Sequence, residues 1–424
     1  MKNDSIFDLN KYLKDYVFEE EEMSIFQDYS KKTEIIEETK ESKMSVKTFV
    51  NEFWTPRQRQ ASSIHEISYR ACFKPQLPRF FIEKLTKEGD IVFDPFSGRG
   101  TTIIESVLMG RVGYANDVNP LSKILAEPRI FPVGIDEIER RLKEIDLDTI
   151  SGEDCDIDLS MFYETKTLGE IISLKNYFIE RVDYNKEDII DKWIRMIATN
   201  RLTGHSPGFF SVYTLPPNQA VSQKSQQKIN EKKNQKPEYR NVKNIILKKA
   251  DQLLSGLNFH NLNLINKFNA KSKFFTEDAK SIPQIESNSV KLTVTSPPFL
   301  DIVQYSKDNW LRCWFNNIEE TEISKKITMS KTINEWNEVM KNVFDELFRI
   351  TKLWGWVAFE VGEIRKGKIK LEEEILKIGI DSGFKLFGVI INSQKFTKTA
   401  NIWGINNNEE GTNTNRIVLF YKGE

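Results

Sequence analysis

One short segment, DPFSGRGTT at residues 94–102, has the residue types that bind an extended ligand through the backbone. It follows a short apolar run, and glycines at such a junction let a ligand approach the main chain closely. The helix predicted to begin after Gly100 offers free N–H groups in its first turn. A tight turn that simply needs glycine would give the same letters, because short glycine patterns often occur without a ligand.

Two further aspartates are predicted to share an edge with this segment. Asp117, in GYANDVNP, lies about 20 residues after the glycines, where a carboxylate can hold ribose hydroxyls. Asp278, in FFTEDA, ends a third predicted strand. Each aspartate alone can be explained as a cap or turn residue. Acids at successive strand ends, however, meet at the edge where open α/β sheets bind ligands.

A second segment, VTSPPFLD at residues 294–301, has the features of a pocket for a planar ring that carries an amino group. Two prolines directly after a strand end its ladder and fix the backbone. Rigid carbonyls around Ser296 and Pro297 can accept hydrogen bonds from an amine, and Phe299 can stack on the ring. A proline strand terminator with a buried phenylalanine is the simpler alternative, and the joint occurrence with the glycine segment and the acids disfavours it.

The elements that must position these residues alternate between strand and helix in two blocks. Strands are predicted at 91–94, 111–117, 273–279, 290–297, 356–362, 384–394 and 416–422, and a helix runs from Gly100 to Gly110. Between the blocks, four helices are predicted at 135–145, 168–182, 187–202 and 241–254. The alternation favours a mostly parallel sheet covered on both faces, with the helical stretch inserted as a second domain.

The composition excludes several classes of protein. The 424 residues are 39% hydrophobic, which is enough for a sizeable core, and no apolar run approaches a membrane-spanning length. The acidic N-terminus lacks the apolar region of a signal peptide, and three cysteines without paired spacing indicate a reducing compartment. We therefore expect a cytoplasmic protein, and three histidines leave little room for a metal site.

The net charge of −1 hides two local asymmetries. Residues 1–45 hold 12 Asp and Glu against 7 Lys and Arg, a composition typical of a loosely attached extension. Residues 221–249 hold 9 Lys and Arg against 2 Glu, so this stretch is the candidate for contact with nucleic acid. A lysine-rich run is also common on an ordinary solvated face.

Taken together, DPFSGRGTT, NDVNP, TEDA and VTSPPF resemble the amino-group DNA methyltransferases, which use S-adenosylmethionine. The matching blocks cover about residues 65–125 and 270–424. The resemblance implies a Rossmann-like class I methyltransferase, an α/β fold with a mostly parallel seven-stranded sheet, an antiparallel last strand and an inserted helical target-recognition domain. The domains are then an acidic extension (1–45), a cofactor part (46–127), the insert (128–268) and a target-base part (269–424).

The resemblance also implies site residues. It assigns the cofactor's ribose to Asp117, its adenine to Asp278 and its methionine end to the glycine segment, with residues 73–85 covering the methionine. The target base would lie against Ser296, Pro297, Pro298 and Phe299. Arg99 departs from the small residue that the family often has. The cofactor residues predicted in the glycine segment are Asp94, Pro95, Phe96, Ser97, Gly98, Gly100 and Thr101.

The residue before the double proline, Ser296, indicates which base is methylated. Adenine-specific members usually have Asp or Asn there and cytosine-N4 members Ser or Thr, so Ser296 favours the exocyclic N4 amine of cytosine, with adenine-N6 as the alternative. Methylation of cytosine carbon needs a cysteine nucleophile, and no cysteine in the chain follows a proline. We expect direct transfer to a flipped base without a metal, in which Ser296 and a carbonyl before or at Pro297 accept hydrogen bonds from the amine.

The insert is predicted to read double-stranded DNA. Within the loop-like stretch 201–223, Arg201 suits guanine and the amides of Asn218 and Gln219 suit adenine. Lys228 and Lys232, with Lys233, could neutralise phosphates. Asp301 and Tyr305, just after the double proline, are expected to line the target pocket. Arg57, Arg59 and Arg70 fit phosphate contacts and local ion pairs equally well.

Three further alternatives remain from the sequence. Related pockets act on RNA or on a protein glutamine, and the chain could instead be a non-catalytic nucleic-acid-binding protein with a methyltransferase fold. Binding of S-adenosylmethionine separates the last from the others. A role in a restriction–modification or defence system, with a separate cognate restriction endonuclease, follows from the resemblance alone.

Overall fold

The computed structural model describes residues 4–19, 30–39, 45–54, 61–70, 72–215, 220–298, 308–319, 321, 323, 330, 332–361, 363–364, 369–393 and 414–424. Its strands are β1 (Val17–Glu19), β2 (Ser30–Lys32), β3 (Glu34–Thr39), β4 (Ser45–Asn51), β5 (Ile91–Asp94), β6 (Val112–Asn116), β7 (Lys273–Phe275), β8 (Val290–Thr295), β9 (Thr351–Val361), β10 (Glu363–Ile364), β11 (Ile369–Lys370), β12 (Lys385–Ser393) and β13 (Thr414–Tyr421).

The α-helices are α1 (Asp4–Asp15), α2 (Gln76–Leu85), α3 (Thr101–Leu108), α4 (Leu121–Ala126), α5 (Ile135–Glu144), α6 (Thr165–Asp183), α7 (Ile189–Arg201), α8 (Gln223–Lys233), α9 (Val242–Leu254), α10 (Phe259–Phe268), α11 (Trp310–Phe315), α12 (Ile333–Ile350) and α13 (Leu371–Asp381). Each strand and helix that the sequence predicts is present, with ends shifted by a few residues. Among the described residues, no helix is long and apolar enough to cross a membrane.

The centre of the fold is a nine-stranded sheet with the order β3-β4-β12-β13-β9-β8-β5-β6-β7. The strands β7, β6, β5, β8 and β9 are parallel to their neighbours in that run, and β13 is antiparallel to both β9 and β12. β5 and β8 are short, apolar and largely buried, as strands covered on both faces must be. This confirms the α/β class and the antiparallel last strand. The predicted count of seven was wrong, because β3 and β4 extend the sheet.

Those two extra strands correct the prediction of a loosely attached N-terminal extension. β3 pairs with β4 across the expected boundary at residue 45, and β4 lies parallel to β12. The helix α1 buries Leu9 and Leu13 in the same apolar cluster as Trp54 and Phe80. Composition alone missed this because alternating apolar residues such as those of β4 sit among many charges. Acidic side chains can occupy the solvent face of a packed element.

The helical insert connects β6 to β7, which are parallel neighbours in the sheet. Its helices share one apolar core with α3 and α4, so that Trp193 and Ile197 pack with Val107 and Leu125. The Trp193 indole donates a hydrogen bond to the carbonyl of Phe131 at 2.9 Å. The insert is therefore an enlarged crossover that rests on the sheet layer. The domain boundaries at 128 and 268 stay predictions.

Candidate cofactor and target-base site

A pocket opens at the carboxyl ends of β5, β6 and β8. The residues around it come from both sequence blocks, which the chain separates by the whole insert. From the predicted set, the lining residues are Pro95, Phe96, Ser97, Gly98, Thr101, Asp117, Asp278, Ser296 and Pro298. The sheet edge thus gathers the glycine segment, two of the three acids and the serine–proline segment around one space, as the strand-end argument predicts.

The glycine segment has the backbone geometry that its letters suggest. Gly98 and Gly100 have φ of 52° and 80°, a region that other residues adopt only with strain. A Cβ on Gly100 would also lie 2.4 Å from the Cβ of Ala126. The loop ends at α3, whose first turn follows Gly100. Replacing Gly100 would therefore displace either the loop or α4.

Asp117 ties the loop to the next strand. Its Oδ2 accepts a hydrogen bond from the N–H of Gly98 at 2.9 Å, and its Oδ1 accepts one from the N–H of Asn119 at 2.9 Å. Burial raises the pKa of this carboxyl to about 6. Each carboxylate oxygen can accept more than one hydrogen bond, so Asp117 keeps the capacity to accept from ribose hydroxyls in the pocket.

Asn116 is a site-forming residue that the sequence did not indicate. Its side-chain N–H groups lie 3.2 Å from the carbonyl of Pro95 and 3.0 Å from that of Glu277, and its Oδ1 accepts from the N–H of Glu277. It therefore fixes the glycine loop and the turn that carries Asp278 at once. Asp278 itself is half-exposed, with Lys280 3.1 Å away, so it contributes a carboxylate at the pocket mouth.

Two buried polar atoms in the pocket wall test whether the site suits a nucleoside-type cofactor. Ser97 Oγ and Asn119 Nδ2 have no hydrogen-bond partner among the described residues, although both residues line the pocket. Buried polar groups are normally paired, so unpaired ones facing a cavity indicate a polar ligand. Together with Asp117 and Asp278 they match the hydroxyl, amine and carboxylate groups of S-adenosylmethionine. Within the described residues no cluster of three or more His, Cys, Asp or Glu could hold a metal ion.

Asp94 occupies a different place from the one expected. It is 1% exposed and lies behind the glycine loop, outside the set that lines the pocket. Its Oδ1 accepts from Thr295 Oγ1 at 2.6 Å and from the N–H of Phe96 at 3.1 Å. Its Oδ2 accepts from Thr102 Oγ1 at 2.9 Å. Burial raises the pKa of Asp94 to about 7, against the opposing effect of these donors.

The serine–proline segment leaves β8 directly into the pocket. The indole N–H of Trp336, in the first turn of α12, donates to the carbonyl of Pro298 at 3.1 Å. Trp336 also lines the pocket. The Pro298 carbonyl thus has one of its two acceptor positions filled, whereas the Ser296 and Pro297 carbonyls carry no hydrogen bond between described residues. Phe299, Asp301 and Tyr305 lie outside the described residues.

A carboxylate that sequence reasoning missed lies beside Ser296. Glu360 follows Phe359, the register partner of Thr295 on the parallel strand β9, and its carboxyl lies close enough to the Ser296 side chain for that hydroxyl to lower its pKa. Asn415 Nδ2 donates to its Oε1 at 2.5 Å. Burial raises the pKa of Glu360 to about 7. The signal was available, because Glu360 is an acid near the carboxyl end of a predicted strand, as Asp117 is.

The predicted DNA-reading residues of the insert are only partly brought to the surface. Lys228, Lys232 and Lys233 are exposed on α8. Arg201 is 8% exposed, lies 4.0 Å from the centre of the Phe209 ring and donates to Asn200 Oδ1 at 2.6 Å. In this conformation it cannot reach a guanine edge, because its guanidinium is covered. Asn218 and Gln219 lie outside the described residues.

Hydrogen bonds join the insert to the segment after the target motif, and two of them lie just before α8. The N–H of Ala220 donates to the carbonyl of Asp308 at 3.0 Å, and the Trp310 indole donates to the carbonyl of Val221 at 3.3 Å. Asp308 also accepts from Arg70 at 2.6 Å. The start of α8 is therefore attached next to Asp308, whereas Lys232 and Lys233 lie in the last turn of that helix. Of the three arginines considered near the N-terminus, Arg70 forms this ion pair, and Arg57 and Arg59 are outside the described residues.

Comparison with known proteins finds similarity to the same family that the motifs resemble. A family described as DNA methylase, of the N6/N4 type, matches residues 2–145. Type II methyltransferase M.BsoBI of Geobacillus stearothermophilus is 24% identical over 358 residues, 74% of this chain and 64% of that protein. Type II methyltransferase M.MjaII of Methanocaldococcus jannaschii is 33% identical over 95 residues, 22% of this chain and 17% of that protein. The matched stretches thus span less than two thirds of these relatives.

Among solved structures, a SAM-dependent methyltransferase from Methanosarcina mazei overlays 81% of this chain and 97% of that chain, with 10% identity and a TM-score of 0.33. The fold class rests instead on the strand order described above. The family match and the unpaired polar groups of the pocket support S-adenosylmethionine as the cofactor. The family match over residues 2–145, the type II methyltransferase relatives and the motifs gathered at one pocket support an amino-group DNA methyltransferase of the N4/N6 family.

Proposed function

We propose that this protein transfers a methyl group from S-adenosylmethionine to the exocyclic N4 amine of cytosine in double-stranded DNA. The observation that carries the proposal is the position of Ser296 on the same pocket as Ser97, Asp117 and Asp278. One pocket then holds both the predicted cofactor groups and the predicted target groups. A shared space of this kind is what direct transfer between two bound molecules requires.

When bound, S-adenosylmethionine supplies an electrophilic methyl group on its sulfonium. The chain's part is to make a poor nucleophile reactive, because the lone pair of an exocyclic amine is delocalised into the ring. Ser296 Oγ and the carbonyl before or at Pro297 accept hydrogen bonds from the amino protons and favour the positive charge that develops on nitrogen. Trp336 supports this arrangement by holding the neighbouring carbonyl of Pro298.

Glu360 gives Ser296 a defined orientation. When the Glu360 carboxylate accepts a hydrogen bond from the serine hydroxyl, the lone pairs of Ser296 Oγ are left free for the amine. The same contact offers a path for the proton that the methylated amine must lose, from nitrogen to Ser296 Oγ while the serine proton passes to Glu360. A carboxyl whose pKa is raised to about 7 suits this exchange near neutral pH.

The choice of cytosine rather than adenine rests on Ser296. The family match supports methylation of an amino group and does not distinguish the two bases. A serine hydroxyl can donate as well as accept, and the family resemblance links serine at this position with cytosine. Adenine-N6 methylation would use the same pocket and the same carbonyls. Duplex DNA as substrate is supported by the family match and by the exposed lysines of α8. The cytoplasmic location and a separate cognate endonuclease rest on the sequence and the resemblance.

The proposal is tested by nucleoside mass spectrometry of DNA that lacks amino methylation. Long DNA of mixed sequence is incubated with the protein and S-adenosylmethionine, so that an unknown recognition site is present. N4-methylcytosine is the expected product. N6-methyladenine would overturn the base assignment and keep the reaction class.

A variant of the proposed site shows whether the methylation comes from this protein or from a contaminating methyltransferase. Ser296→Ala is expected to bind S-adenosylmethionine as the wild type does and to lose about 100-fold or more in single-turnover rate, the size seen when a stabilising donor or acceptor is removed. Cofactor binding without any methylated base would redirect the substrate search to RNA or protein. Failure to bind the cofactor would favour the non-catalytic alternative.

A further inference from the structure

Asp94 holds together three elements that come from both sides of the site. It receives hydrogen bonds from Thr295 at the end of β8, from the N–H of Phe96 in the glycine loop and from Thr102 in α3. The distances are 2.6, 3.1 and 2.9 Å, and both carboxylate oxygens are engaged. The side chain is buried at 1% exposure and does not line the pocket.

From this geometry we propose that Asp94 is a positioning residue for methyl transfer rather than a ligand of the cofactor. By binding Thr295 it fixes the adjacent Ser296 relative to the glycine loop, and therefore fixes the target amine relative to the cofactor's methyl group. The inference rests on the proposed function. It assigns to Asp94 a role different from the contact with the methionine end that the family resemblance implies.

A second hydroxyl contact strengthens the link between the two sides. Thr102 Oγ1 lies 3.2 Å from the carbonyl of Val294, one residue before Thr295, as well as 2.9 Å from Asp94. The end of β8 is thus tied to the start of α3 directly and through Asp94. Displacing a reacting group by about 1 Å can cost on the order of 100-fold in rate. A link that sets the distance between loop and motif therefore acts on the rate more than on cofactor affinity.

The test compares cofactor affinity with transfer rate in Thr295→Val, Asp94→Asn and the double variant. Thr295→Val keeps the shape of the side chain and removes the donor to Asp94. We expect the dissociation constant for S-adenosylmethionine to stay within about 3-fold and the single-turnover rate to fall about 10-fold or more. The double variant should be no slower than Asp94→Asn, because the contact that Thr295→Val removes is one of those that Asp94→Asn already disturbs.

The chain offers a matched control two residues earlier. Thr293 is equally buried on β8, and its hydroxyl has no partner among the described residues. Thr293→Val should leave the rate unchanged, and Thr295→Ser should restore most of the wild-type rate because it keeps the hydroxyl. Equal damage from Thr293→Val and Thr295→Val would contradict the inference, since the cause would then be general disturbance of the strand.

Two results would overturn the positioning role. One is a loss of cofactor affinity of about 100-fold in Asp94→Asn with a normal rate in Thr295→Val, which would make Asp94 a cofactor ligand. The other is a normal rate in both variants. Thermal melting of each variant shows whether it is folded. A wild-type protein that binds the cofactor but methylates no nucleic acid would instead remove the proposed function, and with it this inference.

Discussion

The indole nitrogen of Trp336 lies 3.1 Å from the carbonyl oxygen of Pro298 and donates a hydrogen bond to it. Trp336 belongs to α12 and Pro298 to the segment after β8, and both line the pocket. This bond fills one acceptor position of the Pro298 carbonyl, so that carbonyl is a weaker competitor for the amino group of a target base than the carbonyls before it. The direction of the serine–proline segment is set by a helix nearly 40 residues further along the chain.

Trp336→Phe tests that relationship. The variant keeps an aromatic ring and loses the donor, so the Pro298 carbonyl is left without this partner at a cost of about 1–3 kcal/mol. We expect a roughly 10-fold lower single-turnover rate with cofactor affinity unchanged. Trp354→Phe is the control, because the Trp354 indole nitrogen has no partner among the described residues. Equal rates in wild type and Trp336→Phe would show that the bond does not position the segment.

The raised pKa of Glu360 predicts a pH-dependent rate. The ionised carboxylate is the form that accepts the Ser296 proton, and burial raises its pKa to about 7. The single-turnover rate should therefore rise with pH through about 7 and level off above it, and Glu360→Gln should be slow at every pH. Asp94 also has a pKa raised to about 7. An inflection that persists unchanged in Glu360→Gln would thus assign the titration to Asp94.

The lysines of α8 are predicted to contact DNA phosphates. Lys228, Lys232 and Lys233 are exposed, and changing all three to Gln should weaken DNA binding and reduce the slope of log affinity against log salt by about 3 if each neutralises one phosphate. Lys267 and Lys341, exposed on α10 and α12, serve as control substitutions. An unchanged slope in the α8 variant would place the DNA elsewhere on the surface.

Glu105 is predicted to be a stability residue close to the site. Its carboxylate is fully buried in α3 and lies 2.7 Å from His65 Nε2 and 2.8 Å from Arg79 Nε. Because Arg79 is partly exposed and burial lowers the pKa of His65, the expected loss is that of a buried hydrogen bond to a charged group, and Glu105→Gln should lower the free energy of unfolding by about 2 kcal/mol. Denaturant melts measure this, with the exposed Glu83→Gln as the near-neutral control. Equal stability of the two variants would mean that the group contributes nothing.

Removal of residues 1–39 tests whether the N-terminal region is packed against the sheet, as in the structure, or loosely attached, as composition predicts. The structure predicts a marked fall in melting temperature and a tendency to associate, because β4 would become an open edge and the cluster around Leu9 and Leu13 would lose its cover. A loose extension would be removed without effect. Melting curves and size-exclusion chromatography of the shortened protein distinguish the two.

Local chemistry made much of the site predictable. Gly98, Gly100 and Asp117 lie where their sequence positions indicate, because a strand end, a tight loop and a helix start follow from a few adjacent residues. Partners brought by the tertiary fold were not predictable. Trp336 and Glu360 reach Pro298 and Ser296 only once α12 and β9 have packed. The burial of Arg201 was not predictable for the same reason. Arginine is a residue type suited to DNA contact, but the fold places this one against the Phe209 ring.

The acidic N-terminal region supplies β3, the strand at one end of the nine-stranded order. Within the described part of the chain, β3 pairs with β4 alone, so β3 forms an edge of the sheet as described. Glu34 and Glu37 are exposed along it, beside the partly exposed Ile35. A second molecule that tried to add its own β3 would bring like charges together, which opposes strand-to-strand stacking between copies. The acidic residues that predicted a loosely attached extension thus lie on the strand where repulsion between copies disfavours edge-to-edge association.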